Sequence, residues 1–92
     1  MEVVARSAFN RDVDLIKDDD LKEALAKKIF QIIKAKDISH TTGIKLLRGY
    51  TTHYRIKIQT GKHSYRIGAV VRGNKIWLAR FLPRVKIYKQ FP

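Results

Sequence analysis

Apolar residues recur along this chain at two periods, and the change of period divides it. From Leu21 to Lys36, the residues Leu21, Leu25, Ile29, Ile32 and Ile33 fall on one face at 3.6-residue spacing, which predicts an amphipathic helix. Asp18, Asp19 and Asp20 precede it and Lys34 and Lys36 close it, so both ends carry the charge that the helix dipole favours. From His53 onward the period is two. In HYRIKIQT, Tyr54, Ile56 and Ile58 alternate with His53, Arg55 and Lys57. In KHSYRIGAVVR, Tyr65, Ile67 and Ala69 share a face, leaving Arg66 and Gly68 on the other. NKIWLARFL predicts a third strand, with Ile76, Leu78 and Arg80 on one face and Trp77, Ala79 and Phe81 on the other. Gly61 and Gly73 mark hairpin turns, and Pro83 ends the last strand.

The rest of the pattern is weaker. Residues 2 to 8, EVVARSA, suit a first strand, and Asn10 and Asp12 can cap a short helical segment running to Lys17. The acidic triplet at 18–20 reads as a helix cap rather than a metal site, because adjacent carboxylates point in different directions. Residues 37 to 52 are loop-like around Gly43 and Gly49, with IKLLRG as a short strand or turn that pins Leu46 and Leu47 into the core. RVKIYKQFP has room only for a helical turn or tail. The expected architecture is α+β: an N-terminal strand, a helical hairpin, then an antiparallel β-meander. One small domain spans residues 1–92, since no repeat or linker interrupts them. The helices should cover one side of the sheet and leave the cationic side open.

Charge sharpens that picture. Residues 1–44 hold eight Lys/Arg and eight Asp/Glu, whereas residues 45–92 hold twelve Lys/Arg and no acid, within a formal net charge of +12. Like charges on one sheet face repel, so a polyanionic partner explains the arrangement, and nucleic acid fits better than a membrane because no basic amphipathic helix carries the charge. The longest apolar run of the strand region, Ile67 to Val71, is too short to cross a bilayer, and MEVVARSAFNRD lacks a signal-peptide pattern. A soluble, cytoplasmic protein is expected.

The same distribution limits the chemistry. Two-metal nucleases need clustered carboxylates, and none accompanies the basic strands. There is no cysteine, and His40, His53 and His63 lack zinc-site spacing, so no metal or other cofactor is expected. One route needs neither. RNA carries its own nucleophile, the 2′-hydroxyl, and an enzyme then has only to align the attack, move two protons and stabilise the phosphorane-like charge. Lys, Arg, His and Tyr suffice for that.

KLLRG, then YRIKI, then SYRIGAVV, then an apolar strand ending at an Arg with a Tyr four residues later, resembles the RelE/ParE superfamily of type II toxin–antitoxin toxins. The resemblance covers most of the chain. For the RelE-like branch it implies a ribosome-dependent endoribonuclease that cuts mRNA without a metal, contacts 16S ribosomal RNA and is neutralised by a cognate antitoxin. It further implies roles for Arg55 and Lys57 as a basic pair, with Lys57 the general base, and for Arg66 on the scissile phosphate. Arg84 would stabilise charge or serve the leaving group, and Tyr88 would stack on a base or orient the nucleophile. Two positions depart from the family's pattern: Arg55 stands where RelE has lysine, and Pro83 where many relatives have histidine. A guanidinium is a poor base.

Arg48, His53, Lys62, His63, Arg72, Arg80 and Lys86 are the expected general RNA contacts. Tyr54 and Tyr65 read as core or half-buried strand residues, and Trp77 and Phe81 as packing residues before base-stacking ones. Two alternatives share the composition: a ParE-like inhibitor of DNA gyrase, and a non-catalytic basic RNA-binding module.

Overall fold

The computed structural model covers residues 1–92 and folds them into five strands and three helices. In chain order these are β1 (Glu2–Ala5), α1 (Ser7–Asp14), α2 (Asp19–Lys34), a 3₁₀ turn at Ile38–His40, β2 (Ile44–Leu46), β3 (His53–Gln59), β4 (Ser64–Arg72), β5 (Lys75–Pro83) and α3 (Arg84–Gln90). The sheet order is β1-β5-β4-β3-β2. β2 to β5 form the expected antiparallel array, and β1 adds parallel to β5, with Glu2 opposite Lys75 and Ala5 opposite Leu78. No helix is long and apolar enough to cross a membrane.

The period-two pattern works as read in β3 and β4. Ile56, Ile58, Ile67 and Ala69 point into one core with Ile76, Leu78 and Phe81, closed by Phe9 of α1 and Leu21, Leu25 and Ile32 of α2. Asp18 starts α2 by accepting the Leu21 amide at 2.9 Å, the cap that its position foreshadows. Tyr54 and Tyr65 are half-buried against this core.

Several expectations are corrected. The first strand stops at Ala5, because α1 already begins at Ser7. Asn10 and Asp12 therefore lie inside that helix and cap nothing. α2 ends at Lys34, two residues earlier than its charge pattern implied, and Ile33 lies half exposed beside the buried stripe. Leu47 is buried, but its neighbour Leu46 is exposed on the outermost strand.

The largest correction concerns β5. Gly68 pairs with Arg80 but Ala69 pairs with Leu78, so Ala79 is an extra residue on β5. Such a bulge reverses the alternation beyond it. Phe81 consequently joins Ile76 and Leu78 in the main core, not Trp77 and Ala79, and Arg80 leaves the core face. β1 reaches only to Leu78, so β5 is an edge beyond that point. Asp12 seals this edge: its carboxylate accepts from the Phe81 amide at 2.9 Å and from Arg80 Nε and Nη2 at 2.8 and 3.1 Å.

The face away from α1 and α2 is not wholly open. α3 lies across it and buries Ile87 and Phe91 against Leu47, Val70 and Ala79, with Trp77 and Leu82 alongside. Gly68 makes this possible. A Cβ there would stand 2.5 Å from the Phe91 ring, so only glycine lets that ring rest on the strand.

Candidate active site

Strand pairing alone assembles most of a cationic cluster. Partners directly opposite in an antiparallel ladder share a face. Lys45 faces Arg55 across β2 and β3, and Lys57 faces Arg66 across β3 and β4, all on the side that carries α3. With Gly43, Ile44 and Tyr88 they line a cleft of about 350 Å³. Both ladder positions thus set like charges opposite each other, which costs each pair several tenths of a kcal/mol, up to about 1 kcal/mol.

Helix α3 supplies the rest. Pro83 ends β5 and turns the chain into α3, whose i, i+4 spacing brings Arg84 to Tyr88. Arg84 Nε donates to the Tyr88 hydroxyl at 3.0 Å. The Arg55 guanidinium stacks on the ring of Tyr88 at 4.5 Å from its centroid, a cation–π contact that holds the ring over β3. Arg66 Nη1 donates to the Tyr65 carbonyl at 2.9 Å and to Ser64 Oγ at 3.2 Å, which directs its guanidinium along the strand. The phenol of Tyr88 is pulled below the ordinary tyrosine range, first by the hydrogen bond from Arg84 and then by the charges of Arg84, Arg66 and Arg55. It therefore gives up its proton more easily than a free tyrosine.

Gly43 fixes the position of Lys57. Its carbonyl accepts the Lys57 amide at 2.8 Å, and its φ of +72° is a conformation that suits glycine. A second cleft of about 290 Å³ shares Gly43 and Lys57 and reaches Lys28 on α2. The Lys28 ammonium donates to the Thr42 carbonyl at 2.8 Å, and burial pushes its pKa down. As parts of the cleft, Gly43, Lys45 and Lys28 were not foreseen from sequence, in which Gly43 marked only a loop. Lys45 was legible in principle, since it alternates with Ile44 and Leu46, but three residues of strand inside a loop-like segment are a faint signal.

The other expected RNA contacts scatter. Arg80 lies outside the cleft, committed to Asp12 and, through Nη1, to Gln90 at 3.2 Å. His63 Nε2 sits 3.3 Å from Asp18 at the start of α2, and Lys62 occupies the adjoining turn. His53 packs its ring between Tyr50 and Phe91, with centroids 4.7 and 5.8 Å away. Arg48 is exposed in the loop before β3, and Lys86 is exposed on α3 beside Leu82 and Pro83. Arg72 lies at the far end of β4. The acids have structural tasks: Asp12 seals the β5 edge, Asp18 caps α2, and Asp37 caps the 3₁₀ turn through the Ser39 amide.

No family model matches the chain. Over 49 residues it is 43% identical to Toxin RelE3 of Methanocaldococcus jannaschii, a match that covers 53% of this chain and 51% of that protein. The chain thus spans about half the length of the curated relative it matches. A chain in the crystal structure of the RelB–RelE antitoxin–toxin complex from Methanococcus jannaschii matches more broadly. It has a TM-score of 0.73 at 27% identity, over 97% of this chain and 99% of that one. This chain is thus similar to a RelE toxin over about half of its length in sequence, and to a chain of a RelB–RelE complex over nearly all of its fold.

Proposed function

We propose that this protein is a toxin of a toxin–antitoxin pair and acts as a metal-independent endoribonuclease on mRNA held in the ribosome. The observation that carries this reading is the cleft where Arg55, Lys57, Arg66 and Tyr88 meet, with Arg84 bonded to Tyr88 and no carboxylate among the lining residues. An RNA phosphate in that cleft lies among guanidinium and ammonium groups that stabilise charge developing on its oxygens. The 2′-oxygen attacks phosphorus and forms the new P–O bond. The bond to the 5′-oxygen breaks, leaving a 2′,3′-cyclic phosphate and a free 5′-hydroxyl. One proton leaves the 2′-oxygen and one reaches the 5′-oxygen, so no water or metal is consumed.

Lys57 is the base that the family resemblance implies. Tyr88 is a second acceptor, favoured by the three guanidiniums that lower its pKa. Arg84, next to both Tyr88 and the chain turn at Pro83, serves the leaving oxygen. Ribosome dependence and neutralisation by an antitoxin come with the family, and the solved relative was crystallised with its antitoxin.

The test is to map mRNA 3′ ends with and without translating ribosomes, for the wild type and for Lys57→Ala, Arg66→Ala, Arg84→Ala and Tyr88→Phe. Loss of one charge-stabilising donor lowers cleavage by about 10²–10³-fold. Tyr88→Phe removes a rise of activity with pH if Tyr88 takes the proton, and leaves the pH profile unchanged if it does not. Unchanged cleavage in all four variants, or cleavage of RNA with a 2′-deoxy scissile nucleotide, sinks the reading. Absence of cleavage with DNA gyrase blocked would move the protein to the ParE-like branch.

A further inference from the structure

The face that carries α3 has a second concavity, at the opposite end from the cleft of Tyr88. β4 presents Arg66, Gly68, Val70 and Arg72 to this face, and Phe91 and Ile87 cover the two middle positions. The two arginines therefore stand apart, at roughly 20 Å for six residues of strand. Around Arg72 lies a cleft of about 280 Å³, lined by Arg6, Val70, Arg72 and Trp77. Trp77, half-buried and opposite Val70 in the ladder, forms its aromatic wall. Lys75, opposite Arg72, holds its ammonium 5.0 Å from the centroid of the indole without lining the cleft. Arg6 is placed where β1 gives way to α1, its amide bonded to the Leu78 carbonyl at 3.0 Å.

Three cations thus surround one indole. Lys75 has Glu2 at 3.6 Å, but the side chains of Arg6 and Arg72 have no acidic partner and no hydrogen bond within the chain. Arg72 and Lys75 oppose each other directly, an arrangement that costs stability unless an anion lies between or above them. Core packing explains one edge of Trp77. It does not explain two unpaired guanidiniums on the other.

We propose that this cleft binds an unpaired nucleotide of a single-stranded nucleic acid, with the base on Trp77 and the flanking phosphates on Arg72 and Arg6. An aromatic wall accepts the face of any base, and guanidinium forks match phosphate oxygens. An acidic peptide would satisfy the arginines but leave the indole without a flat partner. The site shares no residue with the cleft of Tyr88, so it stands whether or not that cleft cleaves RNA.

Trp77 is the only tryptophan in the chain, so indole fluorescence reports this cleft alone. The probe is a 2′-O-methyl trinucleotide, which is too short to span both clefts and offers no 2′-hydroxyl to attack. Titration should quench Trp77 saturably. The Arg6→Ala/Arg72→Ala protein should bind about tenfold or more weakly, with a salt slope shallower by roughly 1.4, at ~0.7 per lost phosphate contact. Arg72→Gln alone should give an intermediate loss, which guards against a folding defect in the double variant. Arg66→Ala, in the other cleft, should leave the midpoint within about twofold, since distant sites act independently. The proposal is overturned by an absence of quenching, by an unchanged midpoint in both arginine variants, or by loss in Arg66→Ala alone. Tighter competition from a poly-glutamate peptide than from the trinucleotide would also overturn it, in favour of a protein ligand.

Discussion

The two faces of this sheet are built from the same strands and do opposite things. On the face under α1 and α2, Ile56, Ile67, Ile76, Leu78 and Phe81 are all at most 1% exposed. On the other, Lys45 faces Arg55, Lys57 faces Arg66 and Arg72 faces Lys75, and only the middle is covered, by Ile87 and Phe91. Alternation along a strand keeps the two sets of side chains independent. The closed face can therefore hold the fold together while the other accumulates a charge that opposes folding. Three like-charged pairs, at about 0.2–1 kcal/mol each, are affordable against a core of that size.

Substitutions that cross this division should break it in order of size. Phe81→Ala, in the closed face, should lose about 3–5 kcal/mol in urea denaturation; a loss below ~1 kcal/mol would mean that stability does not reside there. Asp12→Ala should cost less, about 1–3 kcal/mol, by leaving the Phe81 amide and the Arg80 guanidinium without their acceptor. Gly68→Ala should cost on the order of 1 kcal/mol, the low end for overpacking because the Phe91 ring can swing away. Spectrophotometric titration of that variant should also find the pKa of Tyr88 moved part of the way back up, since a displaced α3 takes Tyr88 from Arg55 and Arg66 but keeps it bonded to Arg84. Lys57→Gln should have the opposite sign, a gain of a few tenths of a kcal/mol at low salt that fades as salt is added. A loss instead would show that the cations stabilise one another's surroundings.

The smallest effect separates charge from capping. Asp18 has its carboxyl held below the ordinary value of 3.8, first by the Leu21 amide and then by His63. Its contribution is complete above 3.8 and fades as pH falls through the lower folded value. Asp18→Asn keeps the cap, so stability near neutral pH should change little. Acid unfolding should then lose one titrating group, visible as a shallower fall of stability with decreasing pH. An unchanged acid limb would mean that Asp18 titrates alike in both states.

What sequence reveals here follows the range of the interaction. α2, β3 and β4 were legible because their patterns are local and unbroken, and the alternation of Arg55 and Lys57 with apolar neighbours puts them with Arg66 on one face. β5 was misread beyond Leu78 because a bulge depends on the partner strand, and nothing in NKIWLARFL marks Ala79 as the extra residue. Asp12 was read as a cap because its true partners, Arg80 and Phe81, lie 68 and 69 residues away in the chain. The packing of α3 had one local sign, Gly68 in mid-strand, which indicates that another part of the molecule approaches closely. Tyr88 could be matched by resemblance, but its bond to Arg84 and its stacking under Arg55 required the helix to be placed.

That helix also orders events during synthesis. Chains emerge from the ribosome N-terminus first, and a domain folds as a unit. β3 and β4, which carry Arg55, Lys57 and Arg66, are made before β5, and Arg84 and Tyr88 follow every strand of the sheet. A nascent chain thus holds Arg55, Lys57 and Arg66 before it owns the tyrosine and the arginine that complete the cleft. Translation itself postpones the finished site until the residues of α3 are free to fold back over Gly68.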